Sequence, residues 1–111
     1  MNNRTATAEQ RVLIDVRLAN GTRFFWTGPG ALLIDGSGVS AVLRDVAAMG
    51  AQVLGLEGFE LEGTSIRPRL DLNFDAGRRP EISDPLIALR EWPEDVWIDV
   101  TIRLPQPPAG N

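Results

Sequence analysis

The chain has 111 residues, with 11 basic against 15 acidic side chains for a net charge of −4, which allows one domain with one core and leaves no room for two. Cysteine, histidine and tyrosine are missing and every basic residue is an arginine, so the usual thiolate, general base, phenol and Schiff-base amine are excluded. The acidic balance argues against a nucleic-acid binder; no apolar run approaches the roughly 18 residues of a membrane span, and residues 1–10 lack the apolar centre of a signal peptide, which makes the cytoplasm the expected location.

Residues 1–10 read as a disordered terminus, 11–105 as a single domain and 106–111 as a disordered tail. Val12, Ile14, Val16 and Leu18 alternate with Leu13, Asp15 and Arg17, and after Asn20-Gly21 comes a run of β-formers to Thr27. Asn-Gly between two such runs predicts a β-hairpin, because both residues tolerate the positive φ of a type I′ turn. In that hairpin Arg17 faces Phe24 and Asp15 faces Trp26, which would make an Arg17/Phe24/Trp26 face either a half-exposed binding surface or a face under a loop.

After Gly28-Pro29-Gly30 comes a short apolar run, and then the period changes. Val39, Val42, Leu43, Val46 and Met49 recur at helical spacing, with Ser37 as a candidate N-cap and Gly50 placed to end the helix, which predicts a helix over 38–49 with one face on a sheet. Residues 53–56 form a short apolar strand, followed by an acidic corner holding Glu57, Glu60 and Glu62. Alternation from Ile66 to Asp75 predicts a second strand, at a sheet edge because it contains Pro68. Asp84-Pro85 opens a short helix ended by Trp92-Pro93, and Val96 to Leu104 alternate as a final strand. Residues 12–18 and 96–100 look alike, as two half-buried strands would. The expected fold is α+β: a mainly antiparallel sheet of about five strands, one main helix packed on one face and a short second helix.

Three local patterns imitate catalytic or ligand sites. Gly36-Ser37-Gly38-Val39-Ser40-Ala41 matches a dinucleotide fingerprint, with Glu57 where a ribose-binding acid would stand, but Asp35 puts a negative charge beside the phosphate position and the chain is too short for two mononucleotide halves. Asp71-x-Asn73-x-Asp75 imitates the start of a calcium loop, yet the sixth position is Ala76 and the twelfth Ile82, where glycine and glutamate are needed. Glu57 with Asp71 or Asp75 could form a glycosidase-like carboxylate pair, with no substrate-gripping feature beside it. No cofactor, metal or catalytic residue is therefore expected. What remains is a surface: Glu57, Phe59, Glu60, Glu62, Asp71 and Asp75, with Trp97 near, would make an acidic patch with aromatic anchors suited to a basic cleft, or simply a solvated sheet rim.

At these residues the chain resembles small immunity proteins of bacterial polymorphic-toxin systems. The similar pattern is a helix ending in Ala48-Met49-Gly50, then Val53-Leu54-Gly55-Leu56-Glu57-Gly58-Phe59, a short turn, and Ile66-x-Pro68-x-Leu70-Asp71 running to Phe74-Asp75, about a third of the chain. The resemblance implies a non-catalytic cytoplasmic inhibitor that binds a cognate toxin domain. The contact residues come from the charge argument and not from the family. Two alternatives belong to other classes: a small nucleotide- or phosphate-binding domain using residues 36–41, and a homo-oligomeric structural domain pairing through the 67–75 edge.

Overall fold

A computed structural model describes residues 6–27, 30–77 and 84–105. The segment expected to be the first strand of a hairpin is instead a helix, α1 (Ala8–Asn20). Its start is a capping box: the Gln10 amide donates to Thr7 Oγ1 at 3.1 Å and the Thr7 amide donates to Gln10 Oε1 at 3.0 Å. Its end is Gly21, at φ 68°, whose amide donates to the Leu18 carbonyl while that of Thr22 donates to Arg17. Asn20-Gly21 thus closes a helix where a hairpin turn was expected, because a left-handed glycine serves either end. The likeness between residues 12–18 and 96–100 is consequently accidental, one being helix and the other strand.

The strands are β1 (Phe24–Trp26), β2 (Leu32–Asp35), β3 (Gln52–Glu62), β4 (Ser65–Asp75) and β5 (Trp97–Arg103), in the order β1-β2-β5-β3-β4, every neighbouring pair antiparallel. The helices α2 (Val39–Ala48) and α3 (Pro85–Leu89) join α1 on one face. Leu13 of α1 and Val39, Val42, Leu43 and Val46 of α2 bury against Leu32, Ile34, Val53, Leu56, Phe74, Ile98, Val100 and Ile102 of the sheet. Fully burying each such aliphatic side chain is worth about 2 kcal/mol, so this single layer is the main source of stability. The α3 start is as expected, with the Asp84 carboxylate accepting from the Leu86 amide at 2.9 Å and Pro85 in the first turn. At α2 the expected Ser37 cap is replaced: Gly38 is the N-cap and its residue type offers no side-chain acceptor.

The acidic corner expected after Leu56 is continuous strand, so β3 runs on to Glu62 and turns at Gly63, φ 64°. Because β5 pairs with β3 only as far as Phe59, the β3–β4 hairpin continues past the sheet as a two-stranded arm. In β4 the register jumps from Arg69 opposite Gly58 to Asn73 opposite Glu57, leaving residues 70–72 as a bulge. That bulge breaks the alternation: Leu70 is 88% exposed, while Leu72 folds over Gly58, where an added Cβ would lie 2.7 Å from the Leu72 Cβ. As its proline implied, β4 is an edge strand. Pro68, the bulge and the charges of Arg67, Arg69 and Asp71 are the devices that keep a sheet edge from pairing with a second copy, which weighs against the strand-pairing oligomer.

Candidate functional site

The helices leave the other face of the sheet uncovered by any described element, and pairing registers place two cross-sheet rows on it. One row is Phe25, Leu33, Asp99, Glu57 and Asn73; the next is Asp35, Trp97, Phe59 and Pro68. Phe25 and Trp97 meet edge to face at 4.8 Å between centroids. They do so across β2, beside Leu33, which is 0% exposed although no described helix lies on that face. Arg23 flanks this pair, its Nη2 2.7 Å from Asp35 and its guanidinium carbon 5.6 Å from the centre of the Trp97 ring.

The six residues expected to form one acidic patch are divided by the strand pleat. Glu57, Phe59 and Asp75 belong to the uncovered face. Glu60 and Glu62 fall on the opposite side of the arm and are neutralised there: Arg67 lies 2.8 Å from Glu60 and 3.5 Å from Glu62, and Arg69 lies 3.4 Å from Glu60. Asp71 joins that network by accepting from Arg69 Nε and Nη2, at 3.0 and 2.9 Å. The hydrogen bonds and charge of Arg69 hold the Asp71 carboxyl below its ordinary value. The calcium-like triplet is dispersed by the same geometry, and no three acidic groups converge on a metal position among the described residues.

Glu57 instead stands opposite Asp99, a residue the sequence reading passed over. Neither carboxylate has a cation within salt-bridge distance among the described residues. Burial, and then the charge of Glu57, push the Asp99 carboxyl above the usual aspartate range. The available clue was the alternation of the last strand, which already set Trp97 and Asp99 on the side away from Val96, Ile98 and Val100. An acid with a raised folded-state value destabilises the fold once both states are ionised, and the penalty vanishes below the unfolded value of about 3.8. Asp99→Asn is therefore expected to raise Tm by a few degrees at pH 7 and to leave it unchanged at about pH 3, as thermal melts at the two pH values would show. Equal gains at both would mean that Asp99 is no more strained than a surface acid.

The glycine-rich turn is explained by packing. A Cβ on Gly36 would stand 2.6 Å from the Val96 carbonyl oxygen, and one on Gly38 2.7 Å from the Thr22 methyl. Asp35 fills the turn: its Oδ1 accepts from the Ser37 amide at 3.0 Å and hydroxyl at 2.9 Å, and its Oδ2 from Arg23 Nε at 2.8 Å. Burial alone would raise the Asp35 carboxyl, but these bonds and the Arg23 charge outweigh it and hold it low. A carboxylate therefore occupies the ground a phosphate would need. A cavity of about 340 Å³ beside this turn mixes Arg44 and Arg90 with Asp84 and Glu94, which gives it no preferred charge. The Arg17/Phe24/Trp26 group is half-buried. Phe24 and Trp26 pack against the core, and Arg17 lies 3.8 Å over the Phe24 ring while donating to the Thr22 carbonyl.

Comparison with protein-family models, with curated proteins and with solved structures returns no match. No described helix is long and apolar enough to cross a membrane.

Proposed function

We propose that this chain is a non-catalytic protein-binding inhibitor of the immunity type, acting in the cytoplasm by docking a cognate toxin domain on the uncovered face of its sheet. The observation that carries this reading is the contrast between the two sets of acids. Glu60, Glu62 and Asp71 are matched by Arg67 and Arg69, whereas Glu57 and Asp99 have no cation within salt-bridge distance among the described residues and stand beside Phe25, Trp97 and Phe59. Aromatic anchors with unpaired charge are what a basic partner can desolvate and neutralise, and such complementarity sets both register and association rate. The resemblance of the segment from Ala48 to Asp75 to immunity proteins points to the same role.

Co-purification with the product of the neighbouring gene tests it. A stoichiometric complex is expected from the wild type and from Glu62→Arg, and none from Glu57→Arg/Asp99→Asn, all three proteins keeping native circular dichroism. The absence of any complex with the wild type, or a complex indifferent to the Glu57/Asp99 change, would overturn the reading.

A further inference from the structure

We infer that the groove over Gly55, on the uncovered face, is a socket for an arginine side chain of the docked protein; this rests on the docking reading above. The groove has a volume of about 290 Å³ and is lined by Glu57, Asn73, Asp75 and Thr101 above the backbone of β3. That is at the lower end of the roughly 300 Å³ and upward of small-molecule sites and suits one long side chain.

Gly55 itself is the first indication. Gly36, Gly38 and Gly58 stand where a Cβ would come within 2.6 to 2.7 Å of a neighbour, so packing demands them. At Gly55 the nearest atoms would be the Phe74 carbonyl oxygen at 3.4 Å and the Thr101 Cβ at 3.9 Å, which are ordinary contacts. Its φ is not positive, and the register shift beside it is absorbed by Leu54, between Val53 and Gly55. Neither a positive φ nor a close Cβ contact requires a glycine there, although glycine weakens a strand. What its missing side chain does is open the groove, and a glycine inside a strand often marks where another molecule approaches closely.

Charge is the second indication. Glu57 and Asp75 line the groove and Asp99 stands beside Glu57, while no described cation pairs with Glu57 or Asp99. These acids do not converge on one point that could hold a metal ion. An extended cation answers that spacing, and a guanidinium answers it better than an ammonium, since its planar fork of five donors reaches acceptors on both walls at once. The same face already holds one guanidinium in this manner, Arg23 between Asp35 and Trp97.

The test is a titration of the full-length, 15N-labelled chain with hexa-arginine and hexalysine peptides, followed by amide chemical shifts. Saturable shifts centred on Gly55, Glu57, Asp75 and Thr101 are expected, with hexa-arginine binding about tenfold more tightly than hexalysine. Gly55→Ala and Glu57→Gln, each checked for an unchanged melting transition, should each weaken hexa-arginine about tenfold. Shifts centred on Glu60, Glu62 and Asp71, or equal affinity for the two peptides, would overturn the socket. A protein partner that docks on the uncovered face and is indifferent to Gly55→Ala would overturn the socket and leave the docking reading standing. Hexa-arginine seated at Gly55 with no protein partner in the co-purification would do the reverse.

Discussion

Leu33→Ala is expected to cost about 3 kcal/mol of folding stability, as much as Leu56→Ala, although Leu33 lies on the face that no described helix covers. Both side chains are 0% exposed. Leu56 is sealed by the helical layer, whereas Leu33 is sealed by Phe25 and Trp97 meeting across β2. Removing its branched end leaves a void beside the two rings, so the rings must sag or the void persists. Either outcome loses contacts in a layer only one side chain deep. The two variants should differ in function: Leu33→Ala loosens the aromatic part of the docking face, and Leu56→Ala leaves it in place. Urea unfolding followed by partner binding separates them. A loss below about 1 kcal/mol for Leu33→Ala would show that the ring pair does not seal that leucine.

Gly36→Ala is expected to cost about 3 kcal/mol, combining overpacking with a damaged hydrogen bond. The new methyl would meet a backbone oxygen, that of Val96, at 2.6 Å, and the same oxygen accepts the Gly36 amide at 2.8 Å. A side chain can rotate away from such a clash, but this carbonyl leads directly into β5 and can yield only by shifting the strand. Gly38→Ala should cost less, because it meets the Thr22 side chain, and Gly55→Ala should be close to neutral. The three midpoints in urea, measured side by side, decide the matter. A Gly36→Ala protein as stable as wild type would mean that the space beside Gly36 is open and would restore the phosphate-binding alternative.

Most of the architecture could be read from residue pattern. The helical spacing from Val39 to Met49, the Asp84-Pro85 start and the alternation from Val96 to Leu104 each predict the element that the structure adopts, although Met49 lies just past α2 and is exposed. The α+β class and a mainly antiparallel sheet of about five strands agree with the expectation, although one of the expected strands, over residues 12–18, is helix α1, a third helix beside the two expected. Helix α1 escaped because Val12 and Val16 satisfy a period of two and a period of four equally. The β-branched residues and Asn20-Gly21 tipped the balance toward a hairpin. The deciding information, Thr7 and Gln10 as a capping box, sat in residues assigned to a loose terminus.

The candidate site was legible only in part, and for a related reason. Charge along a strand is visible in sequence, but which acids share a face depends on cross-strand register and bulges. Strict alternation does separate Glu57 from Glu60. Asp99 joined Glu57 only when β5 was found between β2 and β3. Likewise, nothing in the letters distinguishes Gly55 from Gly58; the difference is Leu72, brought over Gly58 by the bulge in β4.

The arm formed by β3 and β4 beyond Phe59 has a consequence for how the molecule comes apart. Its strands are tied to each other and to no third strand among the described residues, and its charged clasp holds Arg67 and Glu62 exposed with Glu60 and Arg69 half-buried. A ribbon of two strands is marginal by itself, and exposed ion pairs add little to it. The tip around Gly63 can therefore unzip toward Gly58 without disturbing the residues beneath the helices. The strand that carries Glu57 at its anchored middle ends in the part of the sheet that opens first, which makes local opening of the tip and global unfolding two separate events with separate free energies.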